Sequence, residues 1–422
     1  MQFKDLYAKS VLKNIVGWNV ATDPTPDSYI ADEIAAMDYI KSLKEFISKN
    51  PEHVVSVFSQ DSIYSDKLDT ENFQANQNLW KKYQEMKKNK SEADDEYYDL
   101  FDAVVSVTKK KLAFKNLSPT NLMFFNDKRL GDPEFVIYAV SKMAEISRDF
   151  LKSKPQNDVA KMKEFTMEQI TDYMESFEDL SYKISNNNGS FMTPLDANNA
   201  RIHIAKNKKC MADTASSATH EVGHALYQTR ILNKNTEVGK LGDMISLSLH
   251  ESSSIFHEIA LSGIDFNVRQ RDENLYRLGT DKIHYIIHIF IRMKIEELLF
   301  TNEIKARDIS NVWNQMIEDY IGLKPKNDWE GFLQDVHWNN GAFGYFHSYA
   351  IGFLNAVTMY SSVEKDLTGD MKADTLNVIL PTIEKNYGYY NESSYDILKD
   401  MHDIDKTLEQ YRDFVFTKFN HS

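Results

Sequence analysis

His220-Glu221-Val222-Gly223-His224 sets two imidazoles four residues apart with a carboxylate beside the first. On a helix this spacing turns both rings to one face, where they can grip one zinc ion. The glutamate is then free to act on a water held by the metal, which is the chemistry of metal-assisted hydrolysis. The flanks favour a helix. Asp213 is an N-cap candidate, small residues follow it, and no proline interrupts the run to Gln228. Ala215, Ala218, Val222, Ala225 and Leu226 recur at helical spacing, so this helix is expected to be buried with its histidines turned inward. The competing reading is a core helix whose histidines are satisfied by hydrogen bonds. It accounts for one histidine more easily than for this five-residue string.

A catalytic zinc takes three protein ligands and keeps one place for water. The third is expected from the segment Gly242 to Glu258, which reads as a helix after a loop centred on Asn233-Lys234-Asn235. A helical hairpin would lay it antiparallel to the first helix. Asp243, His250, Glu251, His257 and Glu258 could each ligate. Helical phase puts Glu251, Ser254 and Glu258 on one face and His250 with His257 on another, and spacing alone does not choose among them.

The string His220–Gln228, together with Ser248-Leu249-His250-Glu251-Ser252, resembles the M32 (carboxypeptidase Taq) family of zinc carboxypeptidases. In that family a His-Glu-Ser-Gln string follows the zinc helix and its glutamate is the third ligand, which implies Glu251 here. Gly331-Phe332-Leu333-Gln334-Asp335-Val336-His337-Trp338 matches the family's G-x-x-Q-D-x-H-W motif in full. Gly344 to Gly352 is similar to the aromatic segment that follows it, and Tyr276 to Asp281 keeps the Arg and Asp of I-R-x-x-A-D. Gly17-Trp18-Asn19 with Pro24-Thr25-Pro26 resembles the W-D…M-P segment near the start. The likeness is strongest from Arg201 to Gly352. Elsewhere the pattern is altered: D-x-R-x-T is Asn199-Ala200-Arg201-Ile202-His203, and the glutamine after His-Glu-Ser is Ser253. These departures touch positions expected to hold substrate rather than metal.

The resemblance implies removal of C-terminal residues from peptides, one zinc per chain held by His220, His224 and Glu251, and a homodimer. Cobalt is an alternative metal. Glu221 would be the general base. His337, Tyr345 and Tyr349 are the candidates to donate to a developing oxyanion. A terminal carboxylate calls for a bidentate arginine, with Arg277 the first choice and Arg201 the second. Arg277 could instead be paired structurally with Asp281, four residues on.

The elements that must position these groups are mainly helical. No proline lies between Pro194 and Pro325, which allows long helices through the central third. Apolar Ile30, Ile34, Met37, Ile40, Leu43 and Ile47 mark a helix over Ser28–Lys49, and Asp132-Pro133 opens another. Periodic stretches follow at Val159–Ile184, Asn274–Phe300, Tyr345–Tyr360 and Thr375–Lys385. Arg201–Ala205 alternates polar and apolar residues and is expected to be an edge strand beside the metal, able to pair with a substrate backbone. It would turn Arg201 and His203 to the same side. The expectation is one mainly α peptidase domain over 1–422 with a substrate groove and a small β-sheet next to the zinc helix. Residues 1–190 would cover the groove and 191–422 would carry the metal.

A net charge of −14 argues against nucleic acid and anionic lipid as partners. Cys210 is the one cysteine, so no intrachain disulfide forms and no oxidising compartment is needed. Met1 to Asp5 shows no apolar signal region, and the most apolar stretch, Ile283–Phe300, is broken by His284, His288, Arg292, Lys294, Glu296 and Glu297. A cytoplasmic protein is the expectation. Two rival readings are a zinc oligopeptidase or dipeptidase on short peptides, and a peptide-binding relative with weakened turnover. Intact Glu221 argues against the second.

Overall fold

A computed structural model describes residues 3–22, 26–49, 66–114, 116–119, 122, 133–153, 165–186, 189–196, 198–206, 211–231, 247–261, 282–387 and 404–418. Helices α1 (Phe3–Thr22) and α2 (Pro26–Lys49) open the chain. They run antiparallel, since Lys9 meets Asp38 and Ser42 while Gly17 faces Asp32. The α2 seam is Ala35, Tyr39, Ser42 and Phe46, all buried, whereas Ile34 and Met37 are 62% and 66% exposed. The expected apolar stripe of α2 is therefore corrected at these two positions. Tyr39 and Phe46 offer more apolar area to the seam and take it.

Helices α3 (Asp66–Asn89) and α4 (Asp95–Phe114) pack together, joined by a turn in which Lys90 has a positive φ of 53°. Helix α5 (Pro133–Ser153) begins on its proline, whose missing N–H costs nothing in the first turn. Helix α6 (Met167–Glu175) starts with a capping box in which Thr166 and Gln169 satisfy each other's backbone N–H. It stops at Ser176, so the helix expected to continue to Ile184 is corrected. Residues 180–185 form a strand instead. Their Leu-x-Tyr-x-Ile alternation has the period of a sheet, and tertiary pairing overrode the weak helical phase.

That strand, β1 (Leu180–Ser185), joins β2 (Phe191–Asp196) and β3 (Asn199–Ala205) in the order β1-β3-β2. β3 is parallel to β1 and antiparallel to β2. The expected edge strand Arg201–Ala205 is thus the central strand, with backbone partners on both sides. It has no free edge for a substrate. The strand's own alternation reports which face is buried but carries nothing about the order of strands in the sheet.

Helix α7 (Met211–Leu226) packs on β3 and ends in one π-helical turn, Tyr227–Ile231. Asp213, expected as its cap, lies inside the first turn. Helix α8 (Leu247–Leu261) lies between α7 and α11 (Phe346–Val363). Between them in sequence come α9 (Lys282–Phe300) and α10 (Ile309–Ile321), the latter closed by Gly322 in the left-handed region. Helices α12 (Leu380–Tyr387) and α13 (Ile404–Lys418) follow, and α13 packs on α5 and α11. One contiguous cluster of buried apolar side chains runs from Leu79 on α3 to Val415 on α13, through β3, α7, α8 and α9. Among the described residues, no helix is long and apolar enough to cross a membrane.

Candidate metal centre

Helices α7 and α8 cross very closely. His220 meets Glu258, Gly223 meets Ser254, and His224 meets Glu251, an order that rises on one helix as it falls on the other. The helices are therefore antiparallel. A Cβ on Gly223 would lie 2.7 Å from the Ser254 Cα, and one on Gly352 of α11 would lie 2.7 Å from the Glu251 Cβ. Only glycine permits either approach. Ser252, Ser253 and Ser254 line the same crossing, all fully buried, and Ser253 donates to the Gly223 carbonyl at 3.1 Å. The serine that replaces the expected glutamine thus ties α7 and α8 together.

The close crossing brings Glu251 Oε2 to 3.6 Å from His220 Nε2 and 3.7 Å from His224 Nε2. One ligand atom from each of the three residues lies within 4.8 Å of the others. These gaps are too long for hydrogen bonds. They suit ligands placed about 2.0–2.1 Å from one tetrahedral ion, which are separated by roughly 3.4 Å. Two imidazoles and a carboxylate are also a common donor set of catalytic zinc. The residues therefore fit a metal.

The two histidines are held differently. His220 Nδ1 lies 3.2 Å from Glu258 Oε2, and Ser216 donates to Glu258 Oε1. Such a carboxylate fixes the tautomer and orientation of a ligating ring. Burial works against charge on His220, but Glu258, Glu221 and Glu251 outweigh it and its pKa is raised. His224 stacks instead on the His250 ring, centroids 4.3 Å apart, with Tyr227 edge-on to His250. Burial and the neighbouring histidines hold the pKa of His224 well below its usual value. Burial also lowers His250 and His257 to about 4, so both are neutral. His257 lies beneath Gly223 and binds the Ser253 carbonyl through Nδ1.

Glu221 is 7% exposed. Burial pushes its pKa up to about 7, with His220 opposing and Glu251 and Glu258 adding to the rise. Beyond the metal helix, Arg230 grips Asp179 with two nitrogens at 2.8 and 3.1 Å, and Thr229 donates to the same carboxylate. This pair fastens the end of the helix to the start of β1.

The aromatic candidates form one wall. His337 stacks on Tyr345 (5.7 Å, 21°), Tyr345 contacts Tyr349 (5.0 Å), and Tyr349 contacts Tyr285 of α9 (5.9 Å). Burial and then the charge of Glu251 raise the Tyr349 and Tyr285 pKa values, which places both hydroxyls in the field of that carboxylate. Tyr285 was not legible in the sequence, where it is one more aromatic in an apolar helix. Glu258 was legible by phase as a group on the Glu251 face, but its role as the partner of His220 needed the structure. Arg201 lies apart from the wall. Its guanidinium sits 5.9 Å from the Trp18 ring, on the β3 face opposite buried Ile202 and Ile204. His203 shares that face and binds Ser185 and the Gly189 carbonyl. Arg277, Asp243, Asp132 and Cys210 lie outside the described residues.

The chain is 31% identical over 204 residues to carboxypeptidase 1 of Bacillus subtilis, a stretch covering 42% of this chain and 40% of that protein. It is 32% identical over 180 residues to thermostable carboxypeptidase 1 of Pyrococcus furiosus, covering 36% of each. The aligned stretches thus span well under half of these relatives. The fold is shared over a greater length: the M32 carboxypeptidase of Deinococcus radiodurans superimposes with a TM-score of 0.77 at 15% identity, covering 99% of this chain and 98% of that one. The sequence profile of the carboxypeptidase Taq (M32) metallopeptidases matches residues 52–266 and 264–387, most of the chain, and the chain belongs to that family.

Proposed function

We propose that this chain is a zinc-dependent metallocarboxypeptidase that removes C-terminal residues from peptides. The observation that carries the reading is the convergence of His220, His224 and Glu251 around one position, with Glu221 next to it in the same helix. The relatives it resembles are carboxypeptidases, which supports peptides as the substrate class. A zinc ion held by the three ligands supplies Lewis acidity, making a water more acidic and polarising a carbonyl. Glu221 takes the proton from the attacking water and passes it to the departing amine. His337, Tyr345 and Tyr349 offer N–H and O–H donors to the oxygen on which negative charge develops. Arg277 remains the first choice for the terminal carboxylate on chemical grounds. Arg201, lying over Trp18 on a central strand, has the weaker claim.

The same reading takes 1–422 as one peptidase domain in which 1–190 cover the groove and 191–422 carry the metal, and the continuous core supports it. Peptides with a free C-terminus are the partners, with neither nucleic acid nor membrane. A homodimer follows from the family resemblance, and a cytoplasmic location accords with the single cysteine. The test is product analysis by mass spectrometry on paired peptides with free and amidated C-termini, with and without a chelator and with zinc restored. Stepwise loss of C-terminal residues from the free peptide alone is expected, abolished by chelation and restored by zinc. Internal cleavage of the amidated peptide would instead favour an oligopeptidase.

A further inference from the structure

The aromatic wall is carried by residues 335–349, and helix α9 grips that segment at three points. Arg292 reaches Asp335 at 3.3 Å, and Asp335 caps the helical turn Val336–Asn339 by accepting from the His337 and Trp338 amides. One turn further along α9, Glu296 accepts from Trp338 Nε1 at 2.9 Å with Oε1 and from the Gly344 amide at 3.0 Å with Oε2. Trp338 follows His337, and Gly344 precedes Tyr345. A single carboxyl group therefore joins the residues adjoining the two rings that stack on each other.

Packing holds the segment as well: Trp338 lies edge-on to Phe101 and Trp313, and Phe343 edge-on to Phe101 and Phe300. A cavity of about 140 Å3 lies against Glu296 and is lined by Leu122, Phe290, Met293 and His347. Glu296 itself is 1% exposed and far from solvent screening. A carboxyl group is also the side chain that can accept on two separate oxygens at this position. An amide of equal size turns one acceptor into a donor and leaves one buried N–H facing another.

We propose that Glu296 is a positioning residue of the reaction, closing the 338–344 segment so that His337 and Tyr345 stand together against Tyr349. The inference rests on the proposed peptidase reading, because His337 and Tyr345 matter to rate only if that wall meets the reacting carbonyl. It is tested with Glu296→Gln and the wild-type chain side by side, measuring kcat, KM, bound zinc and Tm. The expected result is a fall in kcat of about 10- to 100-fold with KM changed little and zinc content unchanged, as a misplaced but intact catalytic group produces. Wild-type kcat and KM in a folded, zinc-loaded Glu296→Gln would overturn the inference, whatever happens to Tm, and would leave the peptidase reading standing. Absence of turnover by the zinc-loaded wild-type chain would overturn the peptidase reading, and this inference with it. Should Glu296→Gln fail to fold, Trp338→Phe withdraws one of the two donors while keeping Glu296. A kcat loss at constant KM is again expected, and unchanged kcat would again overturn the inference.

Discussion

The metal face of α7 and α8 and the aromatic wall on α9 and α11 are built on opposite principles. The metal face depends on the absence of side-chain volume: Gly223, Gly352 and three serines let helices meet at backbone distance, and the ligands follow from helical spacing. The wall depends on buried polar groups, with Arg292, Asp335 and Glu296 holding an irregular segment by hydrogen bonds that reach 42 to 48 residues along the chain. Added volume should therefore harm the first region and lost polar partners the second. Within the metal face the same contrast recurs, since His220 is oriented by a carboxylate and His224 by a stacked ring.

The largest effect should come from separating chemistry from metal binding. Glu221→Gln is expected to keep its zinc and lose about 10²- to 10⁴-fold in kcat, the usual contribution of a positioned base. Peptide turnover measured beside the metal content checks this. Turnover that persists at the wild-type level would remove Glu221 from its role.

Next is the inequality of the two histidines. Glu258→Gln removes the charge that orients His220 and raises its pKa. Zinc affinity should fall by about 10- to 100-fold, read by competition with a chromogenic chelator. His250→Phe keeps a flat ring over His224 and should cost less. Equal losses from the two changes would show that stacking and the carboxylate are equivalent supports.

Gly223→Ala tests the volume argument. Its Cβ meets the Ser254 backbone and not the tip of a flexible side chain, so the helices must separate. About 1–3 kcal/mol of stability should be lost, with zinc affinity falling alongside because Glu251 moves away with α8. Denaturant unfolding of the chelated and zinc-loaded chain separates the two losses. An unchanged midpoint in both would mean the helices are not in backbone contact.

How much of this was legible in the sequence follows the same division. The relation of His220 to His224 and the shared face of Glu251 and Glu258 are local, fixed by 3.6 residues per turn, and could be read directly. The choice of Glu251 over four other candidates came from resemblance, not from spacing. Strand order was not legible: the alternation in Arg201–Ala205 is compatible with either an edge or a centre, and the centre is what forms. Ile34 and Met37 have the right period for a seam, but a period cannot say whether an aromatic neighbour will occupy it. Glu296 reads in sequence only as a polar break in an apolar helix. Its partners lie far along the chain, and no window shorter than that separation contains the relationship.

The smallest effect, and the finest probe of the wall, is its response to pH. Burial raises the Glu296 pKa to about 8, opposed by the Trp338 and Gly344 hydrogen bonds, with Asp335 adding to the rise. An unfolded chain would release the same proton near the ordinary glutamate value of about 4.3. The folded state thus binds the proton more tightly, and the associated stability is fully present below the unfolded pKa and lost as pH climbs through about 8. Between pH 6.5 and 9 this amounts to about 2 kcal/mol, by order of magnitude, or a few degrees at most in Tm for a chain of this size. Glu296→Gln cannot titrate, so its Tm should fall less over that interval than the wild-type Tm does, and the two curves should approach each other at the alkaline end. Parallel curves would mean that Glu296 is already ionised at neutral pH. The wall would then be held by a permanent buried charge, and its hydrogen bonds to Trp338 and Gly344 would be the stronger, charge-assisted kind.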